Sequence, residues 1–228
     1  MKEYSNKKTA RIVAILIILA IASSLVSGSF LESLHTPDYL TEASANKPQV
    51  FIGVLLLLTL TVSVVSIPIV MFPIFKKYNE RLALGYIGAR IFEGISDTIL
   101  AICSLLVLIL SQEFVQAGSI MSSNFQASGA LILTFYDWIG ILENIPYCLG
   151  ILMFSYLLYQ SKLVPRWLAI WGFVGGALLL TRVPINMFIF YNPVSTAILA
   201  IPIILNELVL AGWLLVKGFK STTDEQNP

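Results

Sequence analysis

The sequence predicts an all-α membrane protein, a bundle of six transmembrane helices with both termini cytoplasmic, and three observations lead there. The 228 residues are 57% hydrophobic and only 12% charged, with a mean hydropathy of +0.84, whereas soluble domains are roughly 45–50% apolar and about 25% charged. Six stretches reach the length of about 20 mostly apolar residues that a membrane-spanning helix needs. The basic residues gather on one side of these stretches, and the even number of spans returns the chain to the side where it began.

The spans run from Ile12 to Leu31, Val50 to Phe75, Leu82 to Leu110, Ala130 to Tyr159, Trp167 to Phe190 and Val194 to Val216. Lys2, Lys7, Lys8 and Arg11 precede the first. Lys76, Lys77 and Arg81 join the second to the third, Lys162 and Arg166 join the fourth to the fifth, and Lys217 and Lys220 follow the sixth. Only Lys47 falls on the other side, so the positive-inside rule turns the loops at Glu32 to Gln49, Gln112 to Gly129 and Tyr191 to Pro193 outward. Residues 1–220 form one transmembrane domain in this reading, and 221–228 form a polar, disordered tail. The first span also has the basic start and small residues of a secretory signal, but its apolar run is long for that role. A short interfacial helix is expected around Gly118 to Phe125. The two halves of the chain show no convincing internal match that would mark an inverted repeat.

A net charge of +1 and the lack of a basic patch argue against nucleic acid as a partner. The lipid bilayer is the expected partner, in the cell membrane, with a small molecule or cation as the expected ligand. Cys103 and Cys148 lie in apolar runs, where thiols behave as small hydrophobes. His35 is the single histidine and falls in a polar loop, so no metal centre, cofactor or Ser-His-Asp arrangement is expected. Gly172 and Gly176 form a small-xxx-small pair suited to close helix packing.

The chemistry sits in six charges inside the apolar spans: Arg90, Glu93, Asp97, Glu143, Arg182 and Glu207. Ionisable groups at membrane depth are costly and face a bundle interior or a water-filled path, which makes them the candidate ligand-binding residues. Tyr86, Arg90, Glu93 and Asp97 follow at steps of four, three and four, placing them on one helical face. At about 1.5 Å per residue, Arg90, Glu93 and Glu207 lie roughly 13–18 Å from the basic ends of their helices, and Asp97, Glu143 and Arg182 roughly 22–24 Å. Two layers are therefore expected, with Glu143 and Arg182 pairing between adjacent helices. Four carboxylates face two guanidiniums, and the excess either binds a proton or cation or stays neutral as hydrogen-bonding groups. Pro146, Pro184 and Pro202 stand near these charges, where helix breaks free backbone groups for water, side chains or ligands.

Three stretches carry a resemblance: FKKYNERLALGYIGARIFEGI from Phe75 to Ile95, SKLVPRWLAIWGFVG from Ser161 to Gly175, and NELVLAGWLLVKGF from Asn206 to Phe219. Together and in this order they resemble the bacterial membrane family known as domain of unknown function 4386, over nearly the whole chain. The resemblance implies a multi-pass membrane protein in which Arg90, Glu93 and Glu207 fall at polar membrane positions of the family's pattern. It implies no activity. The charged spans suit a proton- or cation-coupled transporter or binder of a small molecule. The alternatives are an intramembrane enzyme acting on lipid, for which no catalytic motif is evident, and an accessory subunit whose polar residues only lock helix packing.

Overall fold

The computed structural model describes residues 2–117, 122–188 and 193–220. The described chain is helical, with no strand among these residues. Helix α1 spans Lys2–Phe30, and a 3-10 turn at Glu32–Leu34 leads to α2 at Tyr39–Ala45. Then come α3 at Lys47–Ala117, α4 at Ser122–Leu142, α5 at Asn144–Ser161, α6 at Arg166–Leu180, α7 at Arg182–Phe188 and α8 at Pro193–Val216. Five helical stretches are long and apolar enough to cross a membrane, and one of them is the 71-residue α3. That helix is broken at Asn79, whose backbone is extended (φ −158°, ψ 99°), which divides it into two arms, 47–78 and 80–117. Asn79 also caps the second arm, its Oδ1 accepting the Leu82 N–H at 3.1 Å, the N-cap role for which asparagine is favoured. Large apolar side chains remain exposed along these helices, Val62 at 65% and Leu131 at 72% among them. Apolar surface on that scale belongs against lipid rather than water.

Three expectations from the sequence are refined. The second and third spans are two helices that meet directly at the kink at Asn79, with no loop between them. The fourth and fifth spans are each divided, at Glu143 and Thr181. The polar stretch from Gln112 to Gly129 is helical in its described part, with α3 reaching Ala117 and α4 beginning at Ser122. The short helix expected from Gly118 falls partly outside the described residues, as do the Tyr191 end of the last outer loop and the tail from 221. The described chain gathers into two compact units.

The first unit gathers Met1–Leu19, Ser63–Glu93 and Asn144–Pro228. Within it α6 packs against both α5 and α8, and the glycines of α6 make this possible. A Cβ at Gly176 would come within 2.8 Å of Ile151 Cγ2 on α5, and one at Gly172 within 2.6 Å of Ser155 Oγ and 2.7 Å of Asn206 Oδ1. Gly175 lies against the α8 backbone at Ile203. The small-xxx-small pair is thus a packing device inside one chain. Cys148, Ile151, Leu179 and Ile203 are buried together at this seam, and Asn206 Nδ2 donates to the Leu168 carbonyl at 2.9 Å. At one end of the unit the Lys220 N–H donates to the Leu163 carbonyl at 2.9 Å. Gly218, at φ +70°, leaves only 3.5 Å between its would-be Cβ and Lys7 Cγ. The start of α1, the α5–α6 connection and the segment after α8 therefore converge.

The second unit comprises Ala20–Val62 and Gly94–Glu143. Its core includes Leu31, Leu34, Val50, Val54, Leu57, Leu100, Val107 and Leu108, with Ile132, Leu133, Tyr136 and Ile139 of α4 packed against it. The short α2 is tied down at its start, as Ser111 Oγ donates to the Leu40 carbonyl at 2.5 Å and Tyr39 Oη to the Gln126 carbonyl at 3.2 Å.

Candidate functional site

The polar face of the arm 80–117 begins with Tyr86, Arg90 and Glu93, which lie in the first unit. Arg90 and Glu93 are only 4% and 3% exposed. Arg90 Nη1 donates to both Glu93 oxygens, at 2.9 and 2.8 Å, the i,i+3 pairing that the spacing predicts. The guanidinium is also flanked by aromatic rings, its Cζ lying 5.6 Å from the Tyr86 centroid and 5.3 Å from that of Tyr147. Both distances are within the roughly 6 Å reach of a cation–π contact. Tyr86 in turn stacks on Phe154 at 5.3 Å, and Phe75 meets the Phe154 ring edge-on at 5.8 Å. The slot for the arginine is shaped by Gly150, where a Cβ would sit 3.2 Å from Arg90 Nε.

Tyr147 extends this cluster to the last helix, its hydroxyl donating to Glu207 Oε1 at 3.1 Å. The inner layer expected from the sequence, Arg90 with Glu93 and Glu207, is thus brought together through a tyrosine that the sequence reading did not single out. The signal was available in part. Tyr147, Gly150 and Phe154 follow at steps of three and four, which puts a polar-tipped aromatic and a gap on one face of α5. One guanidinium and two carboxylates meet here, so the cluster holds one more negative than positive charge when both acids are ionised.

Arg182 stands at the first position of α7, just past the break at Thr181, and donates from Nη1 to Asn144 Oδ1 at 3.4 Å. Asn144 holds the matching position after the break at Glu143, at the start of α5. A long contact between the first residues of two interrupted helices links α5 to α7 at their broken ends. Asn186, one turn beyond Arg182, is 7% exposed, and neither polar atom of its side chain has a hydrogen-bond partner among the described residues. Buried amides are almost always partnered, so such a group calls for an explanation such as water or a ligand.

Asp97 and Glu143 belong to the second unit. Asp97 is buried, and Glu143 occupies the break after α4, its N–H donating to the Ile139 carbonyl at 2.8 Å. The six predicted charges are therefore divided four and two between the units. A groove of about 250 Å³ in the first unit is lined by Ser155, Tyr156, Tyr159, Ala169, Ile170 and Phe173, and by none of the six. Cys103 and Cys148 are free, buried thiols, and no group of three or more potential metal-binding side chains gathers among the described residues.

No curated protein and no solved structure matches the chain. The model of one protein family, described as domain of unknown function (DUF4386), matches residues 11–218, a stretch that contains every described helix except the first residues of α1, and all six charges of the apolar spans. The protein is therefore a member of the DUF4386 family.

Proposed function

We propose that the protein crosses the cell membrane six times with both termini in the cytoplasm, and that the first unit binds a small polar or cationic solute and carries it in exchange for a proton. The orientation is supported by the convergence of Lys7, Lys162, Lys217 and Lys220 segments at one end of that unit, in keeping with the positive-inside rule. The observation that carries the binding reading is the second carboxylate. Glu93 already matches Arg90, and Tyr147 adds Glu207 to the same cluster. An additional carboxylate in low-dielectric surroundings takes a proton or a cation. A proton and a cationic solute then compete for Glu207, so that uptake of one releases the other. Arg182, at the facing helix breaks, would orient an anionic group on the same solute.

The close Arg90–Glu93 pair and the glycine seams also suit a second reading, a polar core that only fixes helix packing. Vesicles holding the purified protein and an entrapped pH-sensitive dye separate the two. Addition of small amines, zwitterions and inorganic cations should produce a solute-dependent change in internal pH that disappears in Glu207→Gln. Solute entry without proton movement would remove the coupling, and the lack of any entry across the panel would leave the packing role.

A further inference from the structure

The groove in the first unit is separate from the charged cluster and has its own chemistry. One wall comes from α5 with Ser155, Tyr156 and Tyr159, and the other from α6 with Ala169, Ile170 and Phe173. Tyr156, Tyr159, Ile170 and Phe173 are all exposed, so the groove opens on the surface that faces lipid in a membrane-embedded chain. At about 250 Å³ it falls below the roughly 300–1,000 Å³ of pockets that enclose a whole small molecule. It is suited to a segment of a flexible chain that lies along it.

A cation marks one end. Arg166, the first residue of α6, is exposed and holds its guanidinium Cζ 5.4 Å from the ring centroid of Tyr159, a groove residue. Pro165 provides no side-chain cap for α6, so the positive end of that helix's dipole adds to the arginine. Trp167 and Trp171 stack at 6.2 Å beside it, the kind of aromatic pair that settles at a membrane–water interface. The Lys220 segment is bonded to the same α5–α6 connection, which makes this the basic end of the unit. The order along the surface is apolar groove, aromatic rim, then fixed positive charge. A phospholipid presents the complementary order, with an acyl chain, an interfacial region and a phosphate.

We propose that the α5–α6 groove binds one molecule of an anionic phospholipid, with an acyl chain along Ile170 and Phe173 and the head-group phosphate held by Arg166. Charge complementarity favours this occupant over a second copy of the chain, which would bring the same basic end against itself. The site depends on membrane embedding and not on the role of Glu207.

Native mass spectrometry tests it, using full-length protein released from nanodiscs of equimolar phosphatidylglycerol and phosphatidylcholine with matched acyl chains. The parent should retain one phosphatidylglycerol, preferred by about fivefold or more, since one basic side chain near anionic lipid contributes about 1 kcal/mol. Arg166→Gln should bring the two lipids to near-equal retention, and Ile170→Trp, which fills the groove, should reduce retention of both. Lys220→Gln lies at the same basic end but outside the groove and should keep the parent's preference. Equal retention by the parent, or a preference that survives Arg166→Gln, overturns the proposal. So does full lipid retention by Ile170→Trp, a Lys220→Gln effect as large as that of Arg166→Gln, or a lipid-free dimer.

Discussion

Arg90 is held from several directions at once: by the two oxygens of Glu93, by the faces of Tyr86 and Tyr147, and by the gap at Gly150. Removing one member of a buried ion pair leaves the other without compensation and costs about 3–5 kcal/mol, whereas replacing both with apolar groups is often nearly neutral. Thermal melting in detergent should therefore show a large loss for Arg90→Met and recovery of most of it in the Arg90→Met/Glu93→Leu double variant. The glycines give a contrast of sign. Gly172→Ala forces a Cβ against Ser155 and Asn206, an overpacking that costs about 1–3 kcal/mol. Nothing lies within 4 Å of a Cβ at Gly88, so Gly88→Ala should gain up to about 1 kcal/mol of helix propensity. Melting midpoints that move in the same direction for both substitutions would argue against the packing described for α6.

At the scale of elements, the interrupted helices have a local cause. Pro146 and Pro184 each occupy the third position of the helix after a break, and the preceding helices end at Leu142 and Leu180, four residues earlier. Those are the residues whose carbonyls a proline neither satisfies nor clears. Thr181 eases its break by donating its hydroxyl to the Leu178 carbonyl at 2.6 Å. Pro68 and Pro73 lie within the continuous arm 47–78 of α3, and Pro202 lies within α8, so proline alone does not decide the outcome. Pro184→Ala should fuse α6 and α7, raising helix stability by up to about 3 kcal/mol. It should also carry Arg182 away from Asn144, and the expected result is a higher melting midpoint with a weakened solute response. The helices themselves were legible as apolar lengths, and the clustering of Arg90, Glu93 and Glu207 as shared depth. The role of Tyr147 was not, because it depends on a contact with Glu207 sixty residues away. The continuity of α3 through Lys76 and Lys77 was also hidden, since those lysines read as a loop although they suit a helix interior, and only the backbone of Asn79 departs from it.

For the whole molecule, composition decided the class and the charge pattern suggested the orientation. The division into two units was not readable, because three of its four boundaries fall inside α1 and α3, and only the fourth falls at the break after α4. Orientation is open to a direct check. Lys162 and Glu42 are both exposed, and the native thiols, Cys103 and Cys148, are buried. A membrane-impermeant maleimide applied to intact cells should label Glu42→Cys and spare Lys162→Cys until the membrane is opened, and the reverse pattern would invert the topology. The central claim is that the cluster of Arg90, Glu93, Tyr147 and Glu207 binds a solute. Its most direct test is thermal melting of the purified protein across a panel of inorganic cations, amines and small zwitterions, with Glu207→Gln alongside. Binding to the native state alone adds about 2.7 kcal/mol at a hundred times the Kd, so a solute-specific rise in midpoint is predicted for the parent and its loss for Glu207→Gln. An equal rise in both proteins, or no rise in the parent with Glu207→Gln at least as stable, would contradict the claim.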